Sequence, residues 1–254
     1  MWKFDRYPAE LTLSMDDGRD RRLAFLPGGL LRWEGTECRG ELQDFGEELY
    51  FLAFDLAAEP RVNLTLALDM ASGLVTLVTC RQGVNPKRPT YISTDILPGA
   101  ILLPGREVPE KRHGFTDALK GKCVKWSYDW GFSIVHVYVT ERYYRIRLLQ
   151  KMGDPDSPYE RAMRNYADRT EPAYYVRIRP DVALFGFTED NMDRVTGPEI
   201  SCASRAQLIR LSTLETVGRG FGQPGTPMDL FRAKGEYVEP LPGELDPGSA
   251  YLVP

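Results

Sequence analysis

Alternation of apolar and polar residues with period two runs through almost the whole chain. A chain patterned this way has to build antiparallel sheet with one face buried, because successive side chains of a strand point to opposite faces. Leu11-Thr12-Leu13-Ser14-Met15 alternates and stops at Asp16-Asp17-Gly18, a turn signal. The stretch 22–26 then runs into Pro27-Gly28-Gly29, and Leu30-Leu31-Arg32-Trp33 opens the next strand. Tight turns between short strands predict a meander. The stretches 50–56 and 63–68 form a further pair, and Asp69-Met70-Ala71-Ser72-Gly73 turns the chain into a strand over 74–79. The pattern resumes at 123–128, 132–140, 143–149, 174–178, 182–189, 199–203, 206–212 and 216–220. Each half thus supplies about seven or eight strands at the spacing of sandwiches and barrels.

The fold class expected is all-β: antiparallel barrels in two tandem halves, with one short helix at 157–169, where Ser157 can cap and Pro158 occupies the first helical position. Between the halves, 82–114 holds Pro86, Pro89, Pro98, Pro104 and Pro109, a density that argues against continuous strand. The expected boundaries are an N-terminal half at 1–84, a Pro/Gly-rich linker at 85–118, a C-terminal half at 119–236 and an irregular tail at 237–254.

The 254 residues suffice for these two cores, and a net charge of −4 argues against nucleic acid as a partner, because phosphate binding needs a concentrated basic face. Met1-Trp2-Lys3-Phe4-Asp5-Arg6 carries charge where a signal peptide needs an apolar run, and no stretch approaches the ~18 apolar residues of a membrane span. The expectation is a cytoplasmic chain with no membrane partner and four free thiols, Cys38, Cys80, Cys123 and Cys202. His113 and His136 are the two histidines, and with scattered cysteines they make no zinc spacing. Gly218-x-Gly220-x-Gly222 runs into Pro224-Gly225 rather than a helix, so it fails as a dinucleotide loop. No metal and no cofactor are expected.

The second half resembles the MoaF family. The resemblance rests on Leu119-Lys120-Gly121-Lys122, Trp126-Ser127-Tyr128, Val135-His136-Val137-Tyr138-Val139, Tyr144, Phe185-Gly186-Phe187-Thr188-Glu189 and Val217-Gly218-Arg219-Gly220-Phe221-Gly222, in that order. The first half is similar to the family's N-terminal module through Asp16-Asp17-Gly18, Leu31-Arg32-Trp33 and the stretch from Leu68 to Gly73. The resemblance implies a calycin-like (lipocalin-like) barrel and says little about activity. In the family pattern an acid precedes the histidine; here Val135 stands there.

Candidate site residues follow from strand faces. His136 and Tyr138 share one face of their strand and Val135, Val137 and Val139 the other, so valines packed outside would leave His136 and Tyr138 inside. His136 is then either a general acid or base or a neutral core histidine. Glu189 follows Phe185 and Phe187 on one face, where burial would raise its pKa and make it a usable acid or base. Trp126, Tyr128, Phe187, Tyr175 and Arg177 are the candidate substrate contacts: aromatics with a few directed polar groups line small-molecule cavities. The function expected is cofactor-independent chemistry of lyase, isomerase or cyclase type on a small apolar or aromatic molecule. A non-catalytic carrier and an accessory role in cofactor or amine metabolism are the alternatives.

Overall fold

The computed structural model describes residues 7–56, 61–149, 170–191, 203–222 and 230–247. The chain divides into two compact units, one holding 1–82 and 93–114, the other 83–92 and 115–254.

The first unit is a closed eight-stranded antiparallel barrel in simple sequence order: β1 (Glu10–Met15), β2 (Asp20–Phe25), β3 (Leu30–Trp33), β4 (Thr36–Asp44), β5 (Leu49–Leu56), β6 (Val62–Asp69), β7 (Leu74–Gln82) and β8 (Ile92–Leu102), with β8 returning to β1. The predicted meander is present. At the β1–β2 turn Gly18 takes a φ of 78°, which a side chain would disfavour, and Asp17 Oδ1 accepts from the Arg19 amide at 3.1 Å. The interior is filled by aliphatic and aromatic side chains, among them Leu13, Leu31, Phe54 and Leu66.

Strand β8 corrects the expected linker. Eleven residues of the proline-rich stretch form the strand that closes this barrel, Pro98 included. Proline is tolerated because the paired register with β1 runs from Leu102 to Gly99, and Pro98 then contributes only its carbonyl, which accepts from the Asp16 amide at 3.0 Å. Gly99 lets the strand lie close over β1: a Cβ there would stand 2.7 Å from both Ser14 O and Met15 Sδ.

The second unit is another closed antiparallel barrel, built from β10 (Cys123–Tyr128), β11 (Ser133–Val137), β12 (Tyr143–Leu148), β13 (Thr170–Arg179), β14 (Val182–Thr188), β15 (Ser204–Arg210), β16 (Glu215–Phe221) and β17 (Leu230–Tyr237). The pairings of β10 with β17 and of β12 with β13 complete the ring, and the short β9 (Gly114–Phe115) adds to β13. Together the units give the expected all-β class of tandem antiparallel barrels. The predicted helix at 157–169 lies outside the described residues. No helix among the described residues is long and apolar enough to cross a membrane.

Alternation sorts the second barrel's side chains cleanly. Trp126, Ile134, Tyr138, Tyr144, Phe185 and Ile209 meet in the interior, whereas Cys123, Val135, Val137 and Val139 form a separate outer cluster. That outer face is covered by the segment after β17, through Val238 and Leu245, and Arg147 ties it down with an ion pair to Glu244 at 3.3 Å. Of the expected tail, Tyr237 ends β17 and the described residues 238–247 hold turns and no strand. Leu119 and Leu214 are buried against the interior cluster at the end of the barrel where β13 turns into β14. Cys38, Cys80 and Cys123 are free thiols.

Replacing Gly99 with alanine should destabilise the first barrel by about 1–3 kcal/mol, since the added methyl meets backbone that cannot swing aside. A lower urea midpoint without loss of cooperativity is the expected result.

Candidate functional site

The first barrel's interior is mostly apolar, with Thr79 among its buried inward residues, whereas the second gathers an imidazole, an amide and several phenols. There β11 delivers His136 inward, as its alternation with the flanking valines requires. Five rings surround it at centroid distances of 5.4 to 6.5 Å: Tyr144, Phe185, Phe187, Tyr138 and Trp126. Most meet the imidazole edge-on, the arrangement that aromatic quadrupoles favour. Trp126 Nε1 donates to Tyr138 Oη at 3.1 Å, leaving the phenolic hydrogen of Tyr138 free to donate elsewhere.

This cage makes the imidazole a poor base. Burial among the rings, with the positive charge of Arg205 adding to it, pulls the His136 pKa down from 6.5 to about 3. Burial likewise pushes the Tyr138 phenol well above its usual range. Both groups are therefore neutral near pH 7. Among the described residues, His136 Nδ1 is buried and meets no hydrogen-bond partner.

Glu189 follows β14 and is buried. Burial raises its carboxyl pKa, opposed by the charge of Arg205 and by a backbone hydrogen bond from Ala203. Two residues on, the Asn191 amide donates to both oxygens of the buried Glu171 carboxylate at 3.0 and 2.9 Å, and Asp190 pairs with Arg88 at 2.6 Å. This end of the barrel is thus rich in charge and its middle is aromatic.

Of the residues named from sequence, His136, Tyr138, Trp126, Phe187 and Tyr175 come together in the interior; Tyr175 stacks on Phe185 at 5.2 Å. Tyr128 belongs to an adjoining stack with Trp130 at 4.5 Å and an edge contact to Phe231 at 5.4 Å, and Trp130 is 56% exposed. Arg177 is placed elsewhere. Its guanidinium donates to Thr116 Oγ1 at 2.6 Å and to Pro180 O at 3.3 Å, near the turn into β14.

Sequence reasoning missed Tyr144, Arg205 and Gln207. Arg205 and Gln207 stand opposite Phe187 and Phe185 in the β14–β15 register, so they share the interior face. Gln207 is 1% exposed, and among the described residues neither its Oε1 nor its Nε2 finds a partner. Arg205, Gln207 and Ile209 alternate on one face of the strand expected at 206–212, and only the pairing with β14 shows that face to be the inward one.

Gly218 of β16 explains the room this takes. A Cβ there would stand 2.5 Å from both Gln207 Cβ and Phe231 Cζ, so the first glycine of the motif that fails as a nucleotide loop is a close-packing position.

No protein-family model matches the chain, and no curated protein matches it. The barrel fold is compatible with small-molecule binding, and the second interior is where polar and aromatic groups converge.

Because the folded pKa of His136 lies below its unfolded value, its contribution to stability is present above about pH 6.5. It is lost as pH falls toward 3, at about 1.4 kcal/mol per pH unit. His136→Gln should therefore flatten the acid limb of the stability curve by about one proton. In a proton NMR titration from about pH 7.5 to 4.5 the His136 ring resonances should stay still, and an ordinary midpoint near 6.5 would contradict the cage.

Proposed function

We propose that the second barrel encloses a small apolar or aromatic molecule and acts on it without a cofactor, by lyase, isomerase or cyclase chemistry. The observation that carries this is the pair of buried, unpartnered polar groups, His136 Nδ1 and the Gln207 amide, set in an aromatic interior. Each orphaned group costs about 1–3 kcal/mol unless something fills its hydrogen bonds. A scaffold that keeps two of them is ready for a guest that supplies the missing partners.

With His136 neutral, the chemistry is polarisation rather than proton abstraction. Its Nδ1–H tautomer donates to a carbonyl oxygen of the guest and stabilises charge that builds there, as a preorganised dipole does in a dry site. Tyr138 offers a second neutral donor. The rings supply shape, holding reacting carbons of one molecule together, which suits ring formation of the Diels–Alder type or an isomerisation. Glu189, its pKa raised, is the group placed to hold or release a proton. The order of motifs resembling the MoaF family supports a calycin-like carrier of such a guest. The neutral aromatic middle of the barrel also favours a second reading, a binding protein that releases its ligand unchanged.

The purified chain, incubated with an apolar small-molecule extract of its source cells, should consume one compound and yield an isomer or fragment of it without added cofactor. Retention without conversion selects the carrier. The absence of both retention and conversion overturns the proposal. On the reaction found, His136→Ala should lower turnover by about 10²–10³-fold and His136→Gln should recover part of it. A melting temperature that falls while turnover per folded molecule holds would make His136 a structural residue.

A further inference from the structure

Gln207 narrows the class of guest. It projects from the middle of β15 into the barrel, opposite Phe185, whose ring is also 5.7 Å from that of His136. Its side chain is 1% exposed, and both ends of its amide lack a partner among the described residues. A primary amide presents an acceptor and a donor side by side in one plane. Both are satisfied at once by a ligand edge with a donor and an acceptor equally close together. A carbonyl next to an N–H, held cis as in a lactam, an imide or a pyrimidinone, is such an edge.

The charge around the amide narrows the class further. Gln207 is uncharged and the imidazole that shares Phe185 with it is neutral, while the nearest charged side chain on β15, Arg205, stands two residues away, about 7 Å along the strand. An anionic group carried down to the level of Gln207 would lose its hydration and find Arg205 not beside it but one inward position further along the strand. On the binding reading given above, we infer that the second barrel selects an uncharged, flat molecule with a cis-amide edge, which Gln207 reads through paired hydrogen bonds.

Three bicyclic probes of like size separate the possibilities: 2-quinolone carries the lactam edge, 2-methoxyquinoline lacks its N–H, and 2-naphthoate carries charge. Titration calorimetry on the full chain should give 2-quinolone the tightest binding, on the order of 10–100-fold over 2-methoxyquinoline, the range for leaving a buried amide unpaired. Gln207→Leu should erase that preference, still bind 2-methoxyquinoline, and raise the melting temperature, since an orphaned polar group has been removed. Gln207→Met, closer in volume, gives the same readout where leucine packs badly. A preference that survives both substitutions, or 2-naphthoate as the tightest ligand, overturns the assignment to Gln207. Binding of both neutral probes without preference overturns it too but leaves the enclosing site standing. No binding of either neutral probe removes the enclosing site as well.

Discussion

Closure of each sheet on itself is the constraint from which the rest follows. Once β8 pairs with β1, and β12 with β13, each of the eight strands of either ring has two neighbours. Closure also fixes register around the ring, and register decides which member of each alternating pair faces inward. His136 sits among rings, and Val135 under the tail, because a slip of one residue would exchange them. The interior chemistry is thus a consequence of backbone hydrogen bonding as much as of side-chain choice.

The two barrels use the same architecture differently. The first fills its interior with Leu, Met, Phe and Trp and asks nothing of them but volume. Such a core tolerates exchange among apolar residues of similar size. The second places an imidazole, three tyrosine hydroxyls and a primary amide in the equivalent space, and accepts an energetic cost that a purely structural core avoids. That contrast is why the proposed site is set in the second barrel.

The fold was legible because period-two alternation is local and each strand declares its own faces. Three barrel strands, β4, β8 and β17, went unread, the last two for physical reasons. Strand β8 contains a Pro-Gly pair that ordinarily breaks a strand, and only the closing partner β1, distant in sequence, explains why it survives. Strand β17 escaped because Ala233 and Gly235 present almost no apolar bulk, their smallness being set by Trp126 and Val124 across from Gly235. At the site, His136, Tyr138 and Phe187 could be named from the faces of single strands. Gln207 and Arg205 could not, since a polar residue amid alternation reads as solvent-facing until register pairs it with an inward phenylalanine. Arg177 shows the converse: the right face of a strand, but a guanidinium held by Thr116 and Pro180.

The segment after β17 has a kinetic consequence. By covering the outer valines of β11, it leaves the strand that carries His136 buried on both faces, with apolar contacts inside and out. A strand so held exchanges its amide hydrogens through the rarest openings of a protein. On the binding reading proposed above, a guest would come and go along the barrel axis and not by displacing β11. Its residence time would then be set by the side chains at the barrel's ends and be separable from the affinity written into its middle.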